Sequence, residues 1–209
     1  MFTGIIEEKG ILKTKEKGKL TIIASKVLEN TKIGDSIAVN GVCLTVTEFT
    51  GDGFAVDVMP QTLRVSGLAG VSIGETVNLE RAMQASGRFG GHIVSGHIDG
   101  VGTVRSVKPE GNAVWVEIEP QKELMAGILE KGSITIDGVS LTVAKKRATT
   151  FMVSLIPHTR EETNMHQWKP GRMVNLETDM VGKYVKQQLE SEKPESKITM
   201  EFLSEYGFV

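Results

Sequence analysis

Cys43 and Ser140 stand out chemically because each puts a small nucleophilic atom in the same local setting. Each follows a turn, Asn40-Gly-Val in one place and Asp137-Gly-Val in the other, and each precedes Leu-Thr-Val. A thiol or hydroxyl so placed can add to an electrophilic carbon when a base stands beside it. The adjoining Thr45 and Thr142 offer further hydroxyls to a polar ligand. The plainer reading is a packed small side chain with a satisfied hydroxyl, and spacing alone favours it. No Gly-x-Ser-x-Gly elbow surrounds Ser140, which argues against a hydrolase triad.

A base has few sources here. The chain holds four histidines, two of them in Gly90-Gly-His-Ile-Val-Ser-Gly-His. His92 and His97 are five apart, and an odd separation on an extended strand puts them on opposite faces. They are poorly placed to share a metal, and one cysteine allows no thiolate cluster, so no metal site is expected. A lone histidine is usually structural. His97 is of more interest than His92, because it follows Gly96 as Ile5 follows Gly4. Dinucleotide, P-loop and zinc-protease motifs are absent. Gly87-Arg-Phe-Gly-Gly-His matches no phosphate-binding template and reads as a tight turn between domains.

Composition narrows the class of partner. The 209 residues carry a net charge of −2, with no basic run to attract a nucleic acid. No apolar stretch approaches the roughly 20 residues of a membrane span. The first residues lack the basic and long apolar regions of a signal peptide. A cytoplasmic protein is the expectation.

The elements that position these residues come from an internal repeat. The segment Gly34-Asp-Ser-Ile-Ala-Val-Asn-Gly-Val-Cys-Leu-Thr-Val recurs as Lys131-Gly-Ser-Ile-Thr-Ile-Asp-Gly-Val-Ser-Leu-Thr-Val, an offset of 97 residues. At that offset Phe54 meets Phe151, Pro60 meets Pro157 and Thr62 meets Thr159. Val77-Asn-Leu-Glu meets Val174-Asn-Leu-Glu. Thr3-Gly-Ile-Ile-Glu resembles Ser95-Gly-His-Ile-Asp, with a slightly different offset. So long a period fits a whole small domain. The expected units are 1–90, 91–185 and a tail, 186–209. Short runs rich in Val, Ile, Thr and Phe, split by Asn40-Gly, Asp137-Gly and Gly51-Asp-Gly, read as strands joined by hairpin turns. Alternation puts Phe54, Val56 and Val58 on one face and Asp57 and Met59 on the other. Small closed barrels are expected. From Met180 to Glu192 the residues Val181, Tyr184, Val185 and Leu189 recur at helical spacing until Pro194, and a second helix is expected over 198–206. The stripe suits an oligomer interface.

Met1-Phe-Thr-Gly-Ile-Ile-Glu, Asn40-Gly-Val-Cys-Leu-Thr-Val-Thr, Gly90-Gly-His-Ile-Val-Ser-Gly-His, Asp137-Gly-Val-Ser-Leu-Thr-Val, Leu155-Ile-Pro-His-Thr and Asn175-Leu-Glu-Thr-Asp-Met closely resemble the alpha-type riboflavin synthases, along essentially the whole chain. The resemblance implies an all-β fold: two tandem six-stranded antiparallel Greek-key barrels with a C-terminal α-helix. It implies a homotrimer, with lumazine synthase as a further partner. It also implies a cofactor-free dismutation of two 6,7-dimethyl-8-ribityllumazine molecules, two per active site. Carried over by position, the first-half pocket takes Gly4, Ile5 and Ile6, then Cys43, Leu44 and Thr45, then a strand of Asp57, Val58, Met59, Pro60, Gln61 and Thr62. The second takes Gly96, His97, Ile98 and Lys131, then Ser140, Leu141 and Thr142, then Ile156, Pro157, His158, Thr159, Arg160 and Glu161, with Asp179 nearby. His97, Ser140, Cys43 and Thr142 are the expected catalytic residues, with His97 as base or relay at the C7 methyl. A non-catalytic lumazine- or flavin-binding antenna is the first alternative. It can lose one pocket, whereas both keep their polar residues here. A barrel module binding protein or nucleic acid is the second. It calls for a basic stripe with exposed aromatics, against 5% aromatics and an acidic balance.

Overall fold

The computed structural model describes residues 1–191 and 200–208. Six strands form a first barrel: β1 (Glu8–Glu16), β2 (Lys19–Ile23), β3 (Ser36–Val39), β4 (Val42–Thr50), β5 (Gly53–Asp57) and β6 (Thr76–Arg81). They close in the order β1-β2-β5-β4-β3-β6. A second barrel repeats the plan with β7 (Gly100–Glu110), β8 (Ala113–Pro120), β9 (Ser133–Ile136), β10 (Val139–Lys146), β11 (Phe151–Leu155) and β12 (Met173–Thr178), closing as β7-β8-β11-β10-β9-β12. All neighbours run antiparallel, and closure leaves neither sheet an open edge. The expected all-β tandem barrels are therefore present. No helix among the described residues is long and apolar enough to cross a membrane.

Alternation explains how the barrels fill. Leu44, Val46, Phe54 and Val56 are buried in the first core, and Val143, Phe151 and Val153 in the second. Residues between them on β4, such as Thr45 and Thr47, face out. The hairpin turns need a positive φ at two successive residues, and Asn40 (46°) with Gly41 (80°), and Asp137 (45°) with Gly138 (83°), supply it. Bulges fall at matching places, between Leu12 and Thr14 in β1 and between Val104 and Ser106 in β7.

One sequence expectation shifts. The strand expected through Thr62 ends at Asp57. Pro60 instead opens a short helix, α1 (Pro60–Val65), and Pro157 opens its counterpart α2 (Pro157–Glu161). Proline at the first helical position loses no hydrogen bond there, and its fixed φ already suits a helix. The C-terminal helix α3 spans Met180–Ser191, and Asp179 Oδ1 caps it by accepting the Val181 N–H at 2.9 Å. A last helix, α4, covers Met200–Glu205. Glu192, Pro194 and Ile198, used to bound the two helices in sequence, lie outside the described residues.

The barrels meet along a pseudo-two-fold axis, where repeat-equivalent residues touch one another. Gly41 and Gly138 are backed so closely that a Cβ on either would lie within 3 Å of the other's backbone nitrogen. Asn78 and Asn175, again equivalents, donate their side-chain N–H groups to the carbonyls of Asp137 and Asn40 across the axis, each at 2.8 Å. Glu75 pairs with its own equivalent, Arg172. Burial without a countercharge pushes the Asp137 carboxyl up to about 7, although hydrogen bonds from Asn175 and Asn164 oppose the shift.

Candidate active site

The outer face of each barrel carries a row of three side chains on neighbouring strands. In the second barrel Ser140 on β10 stands opposite Thr135 on β9, and Thr135 stands opposite Glu177 on β12. In the first the same row reads Cys43, Ala38, Glu80. Residues paired across strands point to the same face, so each row is one continuous strip.

Each buried glutamate grips the segment that leads into its own barrel. Glu80 accepts the Thr3 N–H at 2.7 Å, the Thr3 hydroxyl at 2.9 Å and the Gly4 N–H at 3.0 Å. Glu177 accepts the same three groups from Ser95 and Gly96. Desolvation raises the Glu80 pKa, and these donors oppose the rise. The gripped segments then cross over. The Ser140 N–H donates to the Gly4 carbonyl at 2.7 Å, and the Cys43 N–H donates to the Gly96 carbonyl at 2.9 Å. Ile6 packs against the second core and Ile98 against the first. Residues 2 and 94 pair as an isolated antiparallel bridge between the two segments.

This corrects the grouping expected from the repeat. Gly4, Ile5 and Ile6 belong with Ser140, Leu141 and Thr142, while Gly96, His97 and Ile98 belong with Cys43, Leu44 and Thr45. The physical reason is the short distance between the rows. Each leading segment is anchored on its own barrel's glutamate but reaches the neighbouring barrel's row next. Gly4 and Gly96 have φ of 76° and 83°, and a Cβ on either would overlap the Cβ of Ser140 or Cys43. Glycine is needed at both places for the turn and for the approach.

The other expected residues differ in exposure. Leu44 and Val58 are buried in the first core, so only their backbone is available outside. Thr45, Asp57, Met59, Pro60 and Gln61 are exposed, and Thr62 is half-buried. In the second half Thr142, Ile156, Pro157, His158 and Glu161 are exposed, and Thr159 and Arg160 half-buried. Met59 and its equivalent Ile156 are 69% and 57% exposed, large apolar surfaces at matching points on the two faces. Lys131 holds a positive φ of 66° and donates from Nζ to the Ala144 carbonyl at 3.3 Å. The Glu161 carbonyl accepts from Lys9 of the first barrel. Beside Glu80 of the first barrel lies a cavity of about 710 Å³ lined by Thr3, Ile5, Glu80, Arg81 and Arg88, among others.

The histidine expected as base does not reach Ser140. His97 is exposed beside the Cys43 row, and its ring has no hydrogen-bond partner among the described residues. His92 lies over the Ser140 row. Its Nδ1 is 2.7 Å from Ser140 Oγ and its Nε2 is 3.1 Å from Thr135 Oγ1. Burial lowers the His92 pKa, with the carboxylates of Asp179 and Glu177 opposing that shift, so a neutral imidazole holds both contacts. Such a ring can pass a proton along a hydroxyl or hold that hydroxyl in one orientation. Comparison of the halves missed His92 because its counterpart would fall before Met1. Its one visible signal was the Gly-Gly-His run.

The family profile of the lumazine binding domain matches residues 3–82 and 95–179. A riboflavin synthase of Actinobacillus pleuropneumoniae is 52% identical over the full length of both chains, and one of Bacillus subtilis (strain 168) is 48% identical over the same extent. In solved structures, LumP complexed with riboflavin aligns with a TM-score of 0.80 at 30% identity, covering 85% of this chain and 99% of that one. LumP complexed with 6,7-dimethyl-8-(1'-D-ribityl) lumazine aligns at 0.78 and 28% identity, with the same coverage. Two lumazine-binding barrels, each with a row of side chains at matching positions, and full-length identity of about half to these enzymes place the chain in the riboflavin synthase family.

Proposed function

We propose that the chain dismutes two molecules of 6,7-dimethyl-8-ribityllumazine, moving a four-carbon unit from one to the other to give riboflavin and 5-amino-6-(D-ribitylamino)uracil. The observation that carries this is the duplicated outer-face row, which gives each of two identical substrates its own place. One ring is oxidised as the other is reduced, so the pair balances without an outside oxidant. Loss of a proton from the C7 methyl leaves an anion spread over the pteridine, and the protein supplies orientation, polar contacts and dryness. Holding two rings in register can contribute about 7–11 kcal/mol relative to a bimolecular encounter. Ile156 and Met59 offer apolar surface for the rings, and Thr45 and Thr142 offer hydroxyls to the ring edges or ribityl chains.

Incubation of the pure protein with the lumazine alone checks the reading. Riboflavin and the pyrimidinedione should appear in equal amounts, each at half the lumazine consumed. Tight binding without turnover would instead favour a ligand-carrying antenna.

Thr45, Met59, Thr142 and Ile156 are exposed on the single chain, which supports a working site completed by a neighbouring subunit. Repeating such a head-to-tail contact closes a ring, in keeping with a homotrimer in the cytoplasm, with lumazine synthase as a further partner. Val181, Tyr184, Val185 and Leu189 of α3 are 54–67% exposed, and we assign their cover to the other subunits. Cutting the chain after Asp179 should give smaller species by sedimentation. Turnover should be lost while lumazine binding remains. A truncated protein that keeps its size would remove α3 from the interface.

A further inference from the structure

We propose that Thr135 is a positioning residue that fixes the direction of the hydrogen-bond chain from Thr135 through His92 to Ser140, leaving the Ser140 proton aimed outward as a donor to the substrate. This rests on the reading of the Ser140 row as a working site. Thr135 is 1% exposed, and its hydroxyl has one partner among the described residues, His92 Nε2 at 3.1 Å. A buried hydroxyl proton left without an acceptor is costly, so Thr135 donates and Nε2 accepts. In a neutral imidazole the other nitrogen must then carry the proton. His92 Nδ1 therefore donates to Ser140 Oγ, 2.7 Å away. One Ser140 lone pair is taken by that N–H. Its own proton is free to point away from His92, and Ser140, only half-buried, has room to use it.

The first barrel shows what the row is like without this device. The place of Thr135 is held by Ala38, which packs with Phe2 and Val94, and Cys43 borders that apolar cluster. Three features change together between the rows. Hydroxyl, imidazole and serine on one side face alanine, phenylalanine and cysteine on the other. A polar chain of fixed direction on one face, opposite an apolar one, gives the two identical substrates different surroundings. Ser140 then acts as a hydrogen-bond donor to its ring, and His92 does not withdraw the Ser140 proton in the resting site.

The test uses the full-length protein. Histidine 15N spectra, assigned by the signals lost in His92→Asn, should show His92 protonated at Nδ1 and bare at Nε2. Thr135→Ala places at this position the residue that the first barrel already carries, so the fold should tolerate it. It should convert the His92 signals to a tautomer mixture. It should also lower kcat about tenfold, the size of one lost hydrogen bond, with KM little changed. Thr135→Ser keeps the hydroxyl and should restore both. Without the Thr135 donor the neutral ring loses support. The acid limb of the kcat profile should then move to higher pH, in a field set by Asp179 and Glu177. A wild-type His92 protonated at Nε2, or a spectrum indifferent to Thr135→Ala, overturns the proposal. A spectrum that changes while kcat does not leaves Thr135 as the positioning residue and instead removes His92 and Ser140 from the chemistry.

Discussion

Ser140→Ala should lower kcat about a hundredfold, and Cys43→Ala by less than tenfold, although the two residues are equivalents in the repeat. Removing one aimed donor from a dry site typically costs a factor of 10²–10³ in turnover. Ser140 is such a donor, held by His92 and by its own N–H to Gly4. The Cys43 thiol has no histidine hydrogen-bonded to it, and its surroundings are Phe2, Ala38 and Val94. Its loss takes away packing more than polarity. Steady-state kinetics of the two variants, with lumazine binding measured separately, decide the matter. Equal losses would contradict distinct roles for the two faces.

Gly138→Ala should destabilise the protein by about 3 kcal/mol or more, because two penalties add. The residue sits at φ 83°, where an alanine is strained by about 1–2 kcal/mol. A Cβ there also falls 2.8 Å from the Gly41 nitrogen, and backbone at the axis cannot move aside without parting the barrels. Gly74 provides the control, since it has nearly the same φ, 86°, and open space around it. Gly74→Ala should therefore cost only the backbone strain. Urea unfolding followed by the fluorescence of Trp115 and the buried Trp168 reports both changes. Similar midpoints for the two variants would mean that the approach of the barrels is not tight.

The two barrels were legible because the repeat and the turns agree. Asn40-Gly and Asp137-Gly demand positive φ wherever they occur, and Val, Ile and Phe alternate between them. A repeat says which residues are alike and is silent on which ones touch. Segments led by Thr3 and Ser95 could have returned to their own row or crossed to the other with the same sequence. The choice is made by geometry near the axis, where Gly4 packs directly on Ser140. His92 was undervalued for a related reason, having no partner in the first half to be matched against. The strand through Thr62 that the resemblance implied failed on local chemistry, because Pro60 starts a helix well.

In a symmetric pair of identical barrels any substitution would appear on both sides of the axis. A glutamate at position 75 would then face a second glutamate, and there would be no Arg172 to meet it. The pair Glu75 and Arg172, like Ala38 and Thr135, exists only because the halves share one chain and can mutate independently. Crossing of the leading segments also means that a lone barrel cannot finish its own row and must borrow the start of another. The architecture is thus that of a dimer made permanent by gene fusion. Joining the copies holds the two barrels together covalently and lets one face carry a histidine while the other is apolar.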